Sequence, residues 1–135
     1  MKKHPMIAVD IVIIYCGGIV LVKRKNPPFK GYWALCGGFV EYGETVEEAA
    51  IREALEETGL KIKELKLVGV YSDPNRDPRG HVISVAFIAK GEGKLKAASD
   101  AKSVAVFNVN NIPSKLAFDH SKILRDALKL VKNEY

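Results

Sequence analysis

The sequence predicts an α/β (α+β) domain with a mixed β-sheet and helices packed on its faces. Three observations carry this. Strand-like and helix-like segments alternate without a regular βαβ repeat. One segment has clear start and stop signals for a helix and another has helical apolar spacing. The chain of 135 residues, 47% hydrophobic and 27% charged, suits one domain with its own core, spanning 1–135.

"MIAVDIVIIY" is rich in β-branched residues and reads as a strand; "GIVLVKRK" reads as a second that ends in charge. Asn26, Pro27, Pro28 and Gly31 mark a loop. "YWAL" is a short strand or turn before Gly37-Gly38. Thr45-Val46-Glu47-Glu48 has the pattern of a capping box, and Gly59 supplies a left-handed stop, so a helix runs from about Val46 to Thr58. "KELKLVGVYS" and "GHVISVAFIAK" read as strands joined by the turn-rich "SDPNRDPRG", and "SVAVFNV" as another. In "AFDHSKILRDALKLVKNE", Ile123, Leu124, Ala127, Leu128 and Val131 have a helical period.

The N-terminal apolar stretch is broken by Asp10, lacks a signal-peptide cleavage pattern and is too short to span a bilayer, so the expectation is a soluble, cytoplasmic protein with no membrane partner. The two cysteines, Cys16 and Cys36, have no zinc-site companions and read as free thiols. The net charge is +5, but the cations are scattered, and neither an RNA-binding signature nor a helix-turn-helix pattern accompanies them. No nucleic-acid partner is expected.

The charge is nevertheless unevenly placed. Gly37–Leu60 carries Glu41, Glu44, Glu47, Glu48, Glu53, Glu56 and Glu57 against Arg52 alone, so this stretch is −6 and the remainder +11. On a helix, Val46, Ala49, Ala50 and Ala54 line one side, while Glu53, Glu56 and Glu57 share an arc of roughly 100°. Neighbouring carboxylates repel, and Glu56 and Glu57 lie near the helix C-terminus, where the dipole disfavours anions. Divalent cations would relieve both penalties, and clustered hard oxygens suit Mg²⁺ or Mn²⁺. The competing reading is a solvated acidic face with Arg52 paired to Glu48 or Glu56.

Spacing decides between the two. From Gly38 the chain runs glycine, five residues, Glu44, seven residues, then Arg52-Glu53-Ala54-Leu55-Glu56-Glu57-Thr58-Gly59-Leu60. This resembles the Nudix box, G-x5-E-x7-R-E-U-x-E-E-x-G-U with U apolar, at every specified position over 38–60. "VLVKR" and "GYWALCGGFVEYGET" are similar to the family more weakly.

The resemblance implies a Nudix-type α/β/α sandwich that hydrolyses a nucleoside diphosphate linked to a group X, with Mg²⁺ (Mn²⁺ substituting) bridging carboxylates and phosphate. By matching position, Glu53, Glu56 and Glu57 resemble metal ligands, with the Gly37 carbonyl as an additional one, and Glu53, Glu57 and Arg52 form the catalytic set. Arg52 is expected to orient the box glutamates through Glu44; Glu41 and Glu47 read as solvated. Arg24 is either a phosphate contact or a surface cation, and Arg79 is a further substrate-binding candidate. Relatives often place a base on a later loop; here the expected glutamate is Ser103, which leaves Glu92 and Asp100 as candidates. Cys36 stands where the family often has proline.

Pro74 lies where many ADP-ribose pyrophosphatases carry a proline, so ADP-ribose is the expected substrate, giving AMP and ribose 5-phosphate. The alternatives are a nucleoside triphosphate pyrophosphatase, including one acting on oxidised nucleotides, and a non-catalytic nucleotide sensor. Adenine has Trp33, Tyr32 or Phe118 to stack on, with a core role open for Trp33. His120 reads as a substrate contact or part of a "DHS" helix cap, and His81 as a strand start. Finally, the apolar N-terminal strand, read as an exposed edge, leads to the expectation of a homodimer.

Overall fold

The computed structural model describes residues 3–96 and 104–132. The elements are β1 (Met6–Tyr15), β2 (Gly18–Lys23), β3 (Trp33–Ala34), β4 (Cys36–Phe39), α1 (Val46–Thr58), β5 (Lys61–Tyr71), β6 (Val82–Glu92), β7 (Val104–Phe107), a 3-10 turn (Val109–Asn111) and α2 (His120–Leu130). The main sheet order is β3-β2-β1-β6-β5, with β4 also on β1 and β7 on β2. β1 and β6 run parallel from Met6–Val82 to Ile14–Lys90, and the other pairs are antiparallel, so the sheet is mixed.

β1 is the spine of the sheet. Val9, Ile11 and Ile13 point into the core under α1, and Val12 points into the core that α2 closes. A strand covered on both faces reads as a continuous apolar run, which is why β1 does not alternate. This corrects the edge-strand expectation: β6 occupies one side of β1, and β2 and β4 occupy the other. The apolar strand therefore supplies no argument for a homodimer.

The local signals around α1 act as the sequence implies. Thr45 Oγ1 accepts from Glu48 N–H at 3.0 Å, and Glu48 Oε1 accepts from Thr45 N–H at 2.8 Å. Gly59 sits at φ 78° and donates to Leu55 O at 3.0 Å. Ala49, Ala50 and Ala54 are fully buried, so the helix lies close against the sheet. β4 is an addition to the sequence reading. Glycines carry no strand signal, and Gly37 and Gly38 become a strand only because they pair with Asp10 and Val9. Among the described residues, no helix is long and apolar enough to cross a membrane.

Candidate active site

The glycine pair sets the spacing between sheet and helix. A Cβ on Gly37 would run into Val9 O and Asp10 Oδ1, and one on Gly38 into the Glu53 carboxylate. Side chains are absent at the two positions where β4 meets β1 and α1, so the carboxylates of α1 reach the strand backbone.

Arg52 gathers the acidic groups. Its guanidinium forks onto Glu44 (Nε to Oε2 2.7 Å, Nη2 to Oε1 3.0 Å) and donates to Glu53 Oε1 at 2.8 Å and Phe39 O at 3.0 Å. Glu56 lies 3.4 Å away and Glu41 3.5 Å. Glu41, expected to be solvated, remains 70% exposed along its side chain. The Arg52 fork pulls Glu44 down to about 2.

Glu57 accepts from Gly37 N–H at 2.9 Å. Burial pushes Glu57 above the usual carboxylate range, with the Gly37 N–H opposing. Burial, and next the Glu57 charge, pushes Glu53 up to about 7 against the pull of Arg52. Neighbouring acids raised in this way are under-neutralised, and their hard oxygens fit a divalent cation. In this conformation, no three acidic, histidine or cysteine side chains among the described residues converge tightly enough to hold one. Glu53 faces Arg52, and Glu57 faces the Gly37 amide.

These shifts have a consequence for pH. Glu53 in the folded chain holds its proton up to about 7, above the usual value of about 4.3. Between those values the folded state binds more protons than the unfolded state, so this contribution to stability is complete below the window and lost as pH rises through it. The chelated protein is therefore expected to show a thermal midpoint that falls from about pH 5 to about pH 8, and Glu53→Gln to flatten that slope. Equal slopes in the two proteins would reject this account.

A cavity of about 430 Å³ opens beside the acidic helix, a size that suits a small-molecule site. Glu56, Glu57, Gly37 and Gly38 line one wall, and Arg24, Arg79 and Phe118 another. The guanidinium carbons of Arg24 and Arg79 lie 4.9 and 5.5 Å from the centre of the Phe118 ring, and Arg79 also lies 5.5 Å from Phe39. Arg79 is forked onto Asp77. Arg24 donates to Pro28 O at 2.7 Å, while burial and then the charge of Arg79 push it below its usual value. Two guanidiniums sharing one ring thus line the same cavity as the acidic residues.

Other candidates lie elsewhere. Trp33 packs edge-on against Phe107, 4.9 Å between ring centres, in the core cluster that α2 closes, and is not a cavity residue. Pro74 is exposed, and its loop sends Arg76, Asp77 and Arg79 into the cavity instead. Glu92 pairs with Lys63 at the end of β6, whereas Val82, at the start of that strand, lines the cavity. Glu92 is not among the residues that line the cavity. Asp100 and Ser103 lie outside the described residues.

The sequence reading did not anticipate that Asp10, Ser84, Arg76, Asp119 and His120 form one buried network, of which Asp10, Arg76 and His120, the last already a substrate-contact candidate, line the cavity. Ser84 Oγ donates to Asp10 Oδ2 at 2.6 Å, and His120 Nε2 lies 3.2 Å from Asp10 Oδ1. Burial pushes Asp10 up, but His120, Ser84 and Arg76 outweigh it and hold the carboxyl below its usual value. The available signal was an acid inside an apolar strand, since a buried charge needs partners. The "DHS" cap reading also fails, because Asp119 makes no side-chain cap and His120 is buried.

One cavity lined by both an acidic loop-helix and guanidiniums suits an enzyme that handles anionic substrates. The model of the NUDIX domain matches residues 4–127. The chain belongs to the Nudix family and is a Nudix hydrolase. Over 127 residues it is 59% identical to the ADP-ribose pyrophosphatase of Methanocaldococcus jannaschii, a match covering 93% of this chain and 75% of that protein. It is 32% identical over 139 residues to the ADPR responsive transcriptional repressor NtrR of Acinetobacter baylyi, covering 96% of this chain and 56% of the repressor. Among solved structures, the NUDIX domain of Shewanella oneidensis NrtR complexed with ADP ribose superposes with a TM-score of 0.82 at 27% identity, covering 96% of this chain and 90% of that one.

Proposed function

We propose that the chain hydrolyses the pyrophosphate bond of ADP-ribose, releasing AMP and ribose 5-phosphate, with Mg²⁺ as cofactor and Mn²⁺ able to substitute. The observation that carries this is one cavity lined both by the α1 carboxylates Glu56 and Glu57 and by the Arg24 and Arg79 guanidiniums. A pyrophosphate is an anion that the acidic wall alone would repel. Similarity to proteins whose names specify ADP-ribose supports the choice of substrate.

Nudix hydrolases generally use divalent metal ions. Glu53, Glu56, Glu57 and the Gly37 carbonyl are the groups that would hold one here. When bound, the ion polarises the phosphoryl group and makes water a better nucleophile. The chain's own groups do the rest. Arg52 holds Glu44 and Glu53 in register, so the carboxylates keep one orientation. Arg24 and Arg79 attract the phosphates, and Phe118 and Phe39 form apolar surface beside them. The proton of the attacking water falls to a box carboxylate or to Asp100.

Incubating purified protein and Mg²⁺ with ADP-ribose, other nucleotide sugars, dinucleotides and nucleoside triphosphates tests the proposal. ADP-ribose is expected to have the highest kcat/KM, with AMP as a product. Higher turnover of triphosphates, with release of inorganic pyrophosphate, would replace this reading with the nucleotide-pyrophosphatase one.

A further inference from the structure

α2 begins without the cap its sequence offers. Asp119 occupies the N-cap position, yet its side chain makes no capping hydrogen bond. Its carboxylate instead receives a fork from Arg76, with Nε to Oδ2 at 2.9 Å and Nη2 to Oδ1 at 2.7 Å. His120 is engaged just as fully. Its Nδ1 accepts from Leu35 N–H at 3.0 Å, so the ring proton sits on Nε2 and points at Asp10 Oδ1, 3.2 Å away. Arg76 and His120 keep only 4% and 6% of their side-chain surface exposed. Phe118, immediately before Asp119, has φ 53°, an uncommon backbone for a bulky residue that tertiary contacts must hold.

These bonds run to two different walls of the cavity. Arg76 belongs to the loop that carries Asp77 and Arg79, and a buried bidentate pair fixes that loop more firmly than its exposed turn residues can. Leu35 joins β3 to β4 and lies two residues before Gly37. One helix start therefore ties the loop of Arg79 and the segment that leads to Gly37 to each other.

We propose that Asp119 and His120 are positioning residues for separate parameters of the same reaction: Asp119, through Arg76, sets how tightly the Arg79 loop takes the nucleotide, and His120, through Leu35, sets the catalytic step at Gly37. This rests on the cavity being the pyrophosphate-hydrolysing site.

The test uses the full chain, with kcat and KM for ADP-ribose in Mg²⁺, the dissociation constant of ADP-ribose in chelator by calorimetry, and thermal midpoints. Asp119→Asn weakens the Arg76 fork and is expected to raise KM and the metal-free dissociation constant about tenfold while kcat stays within about twofold. Arg76→Lys keeps the charge but loses the fork and gives the same result, and the double variant is no worse than either single one. His120→Asn retains an acceptor near the Nδ1 position and keeps most of kcat. His120→Gln retains a donor near Nε2 but loses the Leu35 bond, and lowers kcat about tenfold at unchanged KM.

Equal kcat losses in His120→Asn and His120→Gln would overturn the His120 assignment. An Asp119→Asn protein with altered melting but unaltered KM and dissociation constant would overturn the Asp119 assignment. A wild-type protein that binds ADP-ribose without hydrolysing it would sink the functional reading and the His120 claim with it, while the dissociation constants would still decide the Asp119 claim.

Discussion

Exhaustive chelation is expected to abolish hydrolysis of ADP-ribose, and added Mg²⁺ or Mn²⁺ to restore it. This is the expected result because the α1 wall is strongly acidic and carries too little neutralising charge. Arg52 answers for Glu44 and part of Glu53, but burial and mutual repulsion still push Glu53 up to about 7. Glu57 is pushed in the same direction. A phosphate brought to those carboxylates without a cation is repelled by them, whatever the guanidiniums contribute. Stabilising the developing charge on a phosphoryl group by a divalent ion is worth several kcal/mol, so its loss removes on the order of a thousandfold or more in rate. Release of AMP by metal-free protein at the full rate would refute the mechanism, whatever the substrate.

Glu57→Gln is expected to lower kcat at least about a hundredfold, with folding stability unchanged or slightly improved. The glutamine has the size of the glutamate, and its amide oxygen can still accept from Gly37 N–H, the contact made now at 2.9 Å. What disappears is one negative charge from a group that otherwise raises Glu53. The metal-free protein thus loses a repulsion, whereas cation binding, with Glu57 as a proposed ligand, loses a charge. Measuring kcat beside the thermal midpoint in chelator separates these effects. If kcat is unchanged, Glu57 belongs to a solvated face and the metal ligands must be sought elsewhere.

Some of this was readable from local chemistry. α1 was legible at both ends because Thr45, Glu48 and Gly59 act through bonds to residues within a turn of themselves. The box carboxylates were legible because their spacing along one helix places them together without reference to any other element. Arg79 and Phe118 were legible as candidates, but nothing local tells that they meet: 39 residues separate them in the chain, and the guanidinium lies 5.5 Å from the ring. Trp33 shows the opposite outcome, an aromatic candidate that the fold turns toward Phe107.

By itself, the sequence determined α1, its caps, the acidic arc it presents and the family to which those residues belong. These depend on interactions a few residues apart, and one helix suffices to express them. Only the tertiary structure decided that β1 is the centre of the sheet, that Gly37-Gly38 is a strand, and that Asp10 is a buried partner of Ser84 and His120. It also decided that Asp119 leaves its helix uncapped to hold Arg76, 43 residues away. Each of these choices is a competition between a local partner and a distant one. Burial settles it, because a charge removed from water must be paired by whatever group the fold brings to it.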